Sequence, residues 1–143
     1  MTRFKTTVLA EPETISDLTG DLLAFLAGQN VDARTTHHVA LIVEEVLTNL
    51  ATHGQCSGQP AKLTVTVEPA QVKGEIIDSG AAFDPRKAPD PDLDLAAADR
   101  PVGGVGLFLV RQFSRELEYV SDGGQNRTTF AVGRGDAAGH GEG

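Results

Sequence analysis

The sequence predicts an α+β protein, a two-layer α/β sandwich, and three observations predict it. Helix-period apolar patterning fills the first third of the chain, from about Thr14 to His53. Strict alternation then takes over, with Leu63, Val65 and Val67 on one face and Lys62, Thr64, Thr66 and Glu68 on the other. A single apolar helical segment, Val105 to Phe113, interrupts the later strand patterns. Helices followed by mainly antiparallel strands pack as one layer upon the other.

In order, Phe4 to Leu9 is rich in β-branched residues and reads as an edge strand. Thr14 or Ser16 caps a helix through about Gly28, with Ile15, Leu18, Leu22, Leu23, Phe25 and Leu26 as its apolar set. A longer helix begins at Ala33 and runs to about His53, with Gly54 where a C-terminal glycine is expected. Lys62 to Glu68 is a half-buried strand, and Val72 to Asp78 is its hairpin partner across a turn at Pro69 and Ala70. Residues 81–102 carry four of the seven prolines and read as a long loop, and such a loop in a small domain is usually a lid. Leu117 to Ser121 and Thr128 to Val132 form a closing hairpin joined by the turn-rich DGGQN. The expected organisation is one domain over 1–133, a lid at about 81–103 and a disordered tail over 134–143.

Composition narrows the function. A formal net charge of −8 argues against direct nucleic-acid binding, and the scarcity of aromatic residues argues against a base-stacking platform. The single cysteine excludes a disulfide framework within one chain. No apolar run reaches the length of a membrane span, and the N-terminal residues lack a secretory core. A cytoplasmic protein without membrane contact is the expectation.

Three segments carry chemistry. The long helix contains VEEVLTNLATHG, and on a helical wheel Val39, Val43, Val46 and Leu50 form one apolar stripe. Glu45 and Asn49 lie one turn apart on its border, about 5–6 Å between Cβ atoms, while Glu44 points to water. An amide there can offer a neutral oxygen to Mg²⁺, and a carboxylate one turn earlier can take a proton from a group attacking a phosphate. The same spacing also suits a solvated glutamate beside a helix-surface asparagine. His53 reads as a packed helix-end residue, and the adjacent His37 and His38 make a poor chelate.

The second segment, EIIDSGAAFDP, ends a strand with Asp78 on the face of Val72 and Ile76. An inward carboxylate needs donors, and an exocyclic amine such as that of adenine is one. Gly80 would let a ligand approach the backbone, although an Asx turn closing the strand explains Asp78 as well. The third segment, RPVGGVGLFLVRQF, brings Gly103, Gly104 and Gly106 to a helix start, where open backbone amides bind phosphate. It is neither a Walker loop nor a dinucleotide fingerprint, and a lid hinge is the other reading.

Together and in this order, VEEVLTNLATHG, DSGAAFDP and GGVGLFLVRQF resemble the N, G1 and G2 boxes of the GHKL superfamily, and within it the bacterial anti-sigma-factor serine/threonine kinases. The resemblance spans roughly Ala10 to Val132. It implies the histidine-kinase-like ATPase (GHKL/Bergerat) fold, a left-handed βαβ sandwich over a mixed, mainly antiparallel sheet, with ATP under the lid. It makes Glu45 the general base and Asn49 the Mg²⁺-binding amide. Asp78 becomes the adenine-reading carboxylate with Gly80 beside it, and Gly104 and Gly106 become the phosphate-loop glycines, flanked by Gly103 and Leu107. Thr128 or Thr129 takes the place of the threonine of the last box, where Asn126 and Arg127 stand instead of the family's preceding glycine. Arg100 in the lid is a candidate for the terminal phosphate by conjecture, without a motif match. The implied cofactors are ATP and Mg²⁺. The implied partners are an anti-anti-sigma (STAS-type) protein phosphorylated on serine, a sigma factor held alternately, and a second copy in a homodimer. A non-catalytic nucleotide-sensing module is the alternative. A histidine-kinase catalytic module, which would normally follow a dimerising helix pair, is the less expected reading, since the domain is read as beginning almost at residue one.

Overall fold

The computed structural model describes residues 2–52, 59–82, 84–87 and 104–135. In chain order they form β1 (Thr2–Leu9), α1 (Pro12–Gly28), α2 (Ala33–Thr52), β2 (Pro60–Val67), β3 (Gln71–Asp78), a 3₁₀ turn (Pro85–Lys87), α3 (Gly104–Phe113), β4 (Glu116–Asp122) and β5 (Gln125–Gly133). His53, Gly54, Cys56, Arg100, Gly103 and most of the expected lid lie outside the described residues.

One five-stranded sheet runs β1-β2-β3-β5-β4, with β1 at an edge as expected. The expectation of a mixed sheet gives way to antiparallel pairing throughout. The reason is topological. β3 and β4, joined through α3, run parallel, but β5 inserts between them and pairs with both.

Alternation decides which sheet face the helices cover. Ala61, Leu63, Val65 and Val67 of β2, Val72 and Ile76 of β3, and Phe130 and Val132 of β5 are buried together with the apolar faces of α1 and α2. Gly74 belongs to that face for a steric reason. It pairs with Phe130 across β3 and β5, and a Cβ at 74 would overlap the Phe130 ring. The opposite sheet face is polar and carries Arg3, Lys5, Thr64, Thr66, Lys73, Glu75, Glu116 and Glu118 around a shallow hollow.

Helix boundaries follow their caps. α1 starts at Pro12, two residues before Thr14, because Glu11 is the extended N-cap residue and Pro12 takes the first turn, where its missing N–H costs nothing. It ends in a Schellman turn. The Val31 N–H reaches the Leu26 carbonyl, the Asn30 N–H reaches that of Ala27, and Asn30 takes φ 61°. α2 is capped by Asp32, whose Oδ2 accepts the Thr35 N–H at 3.0 Å. Its inward face buries Val39, Ile42, Val43, Val46, Leu47 and Leu50. At roughly 1.5–3 kcal/mol per buried side chain, this seam outweighs the cost of also burying one amide, about 1–3 kcal/mol even if unsatisfied. The fold can therefore carry Asn49 inside.

Two boundaries differ from expectation. The β4–β5 turn is only Gly123–Gly124, with Asp122 already paired to Gln125. Both glycines have positive φ, 62° and 81°, the pattern of a two-residue hairpin turn that matches the strand twist. At the other end, Arg134 and Gly135, expected in the tail, are tied down. Arg134 donates to the carbonyls of Glu68 (2.9 Å) and Asn30 (3.1 Å), and the Gly135 N–H donates to Asp32 Oδ1 (2.9 Å).

Candidate nucleotide site

Two clusters of polar side chains lie on the helix-covered side of the sheet. The first is built on α2. Asn49 is only 5% exposed, so the reading of a helix-surface asparagine is overturned, while Glu45 is half-buried and Glu44 exposed. The Asn49 side-chain nitrogen donates to the Glu45 main-chain oxygen at 2.7 Å and to its Oε2 at 3.3 Å. With the nitrogen so engaged, the amide oxygen is turned away from Glu45. Burial pushes the Glu45 carboxyl above the usual carboxylate range, the Glu44 charge adds to this, and the bond from Asn49 offsets only part of it.

The start of α3 closes on the same carboxylate. A Cβ placed on Gly106 would overlap the Glu45 carboxyl group. With glycine there, the helix N-terminus comes this near to the acidic side chain without displacing it. Gly104 is the first residue of α3. Leu107 is buried.

The second cluster sits at the end of β3. Asp78 is 3% exposed and faces inward, as period-two counting placed it. Its Oδ1 accepts the Gly80 N–H at 2.9 Å, so the Asx turn closing the strand is real. The same oxygen accepts the Asn126 side-chain nitrogen, also at 2.9 Å. Asn126 pairs with Asp78 across β3 and β5 and is itself buried. Sequence reasoning gave it no role, because an asparagine two residues after Gly-Gly reads as turn and is depleted from strands. The available signal was register: once Gly123–Gly124 is the whole turn, Asn126 must face inward opposite Asp78.

Register also separates the two threonines. Thr128, opposite Ile76, is buried on the inner face two residues from Asn126. Thr129, opposite Glu75, lines the hollow on the outer face with Arg3 and Lys5, so the structure does not bring it to the other site residues.

The described residues thus offer a buried carboxylate at a strand end, a carboxylate beside a buried amide on α2, and a glycine-opened helix start against that carboxylate. A model of the histidine kinase-like ATPase domain matches residues 8–132 of the chain. The chain belongs to the histidine kinase-like ATPase family. It is 35% identical over 100 residues to the serine/threonine-protein kinase BtrW of Bordetella bronchiseptica, a match covering 68% of this chain and 70% of BtrW. Its fold is similar to that of the RsbU and RsbW domains of Rv1364c from Mycobacterium tuberculosis, with a TM-score of 0.67 and 13% identity. That match covers 94% of this chain, which spans only 33% of the longer protein. The structure of the SiaB–SiaC complex from Pseudomonas aeruginosa is similar too, with a TM-score of 0.59 and 13% identity over 91% of this chain and 89% of that one. At such identities these two likenesses speak for the fold. Membership of the histidine kinase-like ATPase family implies ATP binding, and the match to BtrW supports kinase function in general. No helix among the described residues is long and apolar enough to cross a membrane.

Proposed function

We propose that the chain is an ATP-dependent protein serine/threonine kinase that phosphorylates a serine of an anti-anti-sigma (STAS-type) protein and alternately holds a sigma factor. The observation that carries the reading is the meeting of Glu45, Asn49 and Gly106, which joins a carboxylate of raised pKa, a buried amide and a helix N-terminus.

The donor set fits Mg²⁺. One neutral amide oxygen, on a side chain locked by its own nitrogen, suits an ion that takes most of its shell from phosphates and water. Bound there through Asn49, Mg²⁺ would neutralise charge developing on the phosphates. The residues have separate tasks. Asp78 accepts the adenine amine, and Gly80 lets the base lie against the backbone. The amides at Gly104 and Gly106 bind phosphate oxygens, with Gly103 and Leu107 flanking them. Thr128, through its inward side chain, supports the adenine end. Arg100 is assigned to the terminal phosphate by its place in the sequence alone. Glu45 takes the proton from the attacking serine hydroxyl, and its raised pKa makes it a better base than an exposed glutamate. We place this kinase in the cytoplasm as a homodimer.

The test is transfer of label from γ-labelled ATP to purified STAS-domain proteins encoded in the same genome. Serine labelling by the wild type, lowered roughly 10²–10⁴-fold in Glu45→Gln while ATP binding persists, is the expected result. ATP binding with no STAS protein labelled would instead make the chain a non-catalytic nucleotide-sensing module.

A further inference from the structure

Asn126 makes four side-chain hydrogen bonds, the full complement for a buried amide. Its nitrogen donates to Asp78 Oδ1 and to the Gly80 carbonyl, both at 2.9 Å. Its oxygen accepts the Ser121 hydroxyl at 2.6 Å and the Tyr119 hydroxyl at 3.2 Å. The orientation of the amide follows from chemistry. A carbonyl can only accept, so the nitrogen must face Gly80, and the oxygen is left for two hydroxyls that can both donate. The consequence passes to Asp78. Its Oδ1 accepts two N–H donors, one from Gly80 and one from Asn126, so that both fix this carboxylate oxygen in an accepting position. The Asp78–Ser79–Gly80 turn is fixed from both ends, since Asn126 grips the side chain of Asp78 and the main chain of Gly80 together.

We infer that Asn126 is a positioning residue that sets base selectivity: it locks Asp78 as a hydrogen-bond acceptor, so that the site takes a purine with an amine at position 6 and rejects one with a carbonyl there. The inference rests on the assignment of Asp78 to the adenine amine. A 6-carbonyl would bring its oxygen against the carboxylate with no proton between them, leaving two buried acceptors facing each other. A site built to pair with a donor rejects the analogue that lacks it far more strongly than a shape mismatch does.

The test compares ATP with inosine triphosphate, which differs in carrying the carbonyl, by calorimetric affinity in the full chain. Wild type should prefer ATP by on the order of a hundredfold or more. Asn126→Asp, the isosteric change, removes the N–H donors to Asp78 Oδ1 and to the Gly80 carbonyl and releases the grip on both. Its preference for ATP should fall at least about tenfold, an effect that a general loss of stability would not produce because both nucleotides would weaken together. Ser121→Ala removes the shortest bond to the Asn126 oxygen from an exposed position, and should lower the preference by about threefold even if Asn126→Asp does not fold. Unchanged preference in Ser121→Ala, or in a folded Asn126→Asp, while Asp78→Asn abolishes it, overturns the role of Asn126. Unchanged preference in Asp78→Asn overturns the assignment of Asp78 itself.

Discussion

At the scale of single residues, the site depends on where one carboxylate is held. The atoms that a Cβ on Gly106 would strike are the far end of the Glu45 side chain, which can swing aside. Gly106→Ala should therefore cost little stability, within about 1 kcal/mol by thermal melting, yet lower phosphotransfer by about a hundredfold through misplacement of the base. A loss of stability without loss of rate would show that Gly106 serves packing alone. The pH profile follows from Glu45. Burial raises its pKa, so the base is protonated and idle over part of the range where an exposed glutamate would already be ionised. The rate should climb with pH through a point above the usual carboxylate value and then level off, and Glu45→Gln should lose that limb. The sign for stability is opposite. A carboxyl whose folded pKa is raised favours the fold only at low pH, where it is protonated, and this contribution is lost as pH rises through the folded value. Glu45→Gln should thus melt no lower than wild type at neutral pH.

At the scale of elements, two contacts place the site. β3 and β5 pair side by side in one sheet, and Gly74 leaves room there for the ring of the fully buried Phe130. Gly74→Ala should destabilise by about 1–3 kcal/mol in urea unfolding, since the ring has nowhere to move. α2 is anchored at its start by Asp32. Burial alone would raise the pKa of Asp32, but hydrogen bonds from Thr35 and from the Gly135 N–H outweigh it and hold the value below normal. Such a group stabilises the fold above its unfolded pKa, and the contribution is lost as pH falls through the lowered folded one. Asp32→Ala should cost about 1 kcal/mol at neutral pH, as loss of an N-cap does, and the gap to wild type should close in acid. The elements were legible in the sequence wherever period was strong. The stripe from Val39 to Leu50 and the alternation from Leu63 to Val67 placed α2 and β2 within two residues of their ends. The start of α1 was not, since nothing periodic marks Pro12, whereas α2 begins at Ala33 as the sequence predicts.

At the scale of the whole molecule, what the sequence left open was a matter of pairing. Glu45 and Asn49 could be placed together because one helix fixes their spacing. The inward turn of Asp78 followed from strand alternation alone. Asn126, the partner of Asp78, lies 48 residues away and is found only by knowing that β5 pairs with β3 and that Gly123–Gly124 is the entire turn. The same register places Thr128 inside and Thr129 outside, a choice one residue of slip would reverse. The contact of Gly106 with Glu45 likewise needs the docking of α3 on α2. The central claim is that these pieces form one Mg²⁺–ATP site. Calorimetric titration of ATP, with and without Mg²⁺, into wild type, Asn49→Ala and Asp78→Asn tests it most directly. Wild type should bind ATP more tightly with Mg²⁺, Asn49→Ala should lose that gain, and Asp78→Asn should lose most affinity in both conditions. A folded wild-type chain that binds no ATP in either condition would contradict it.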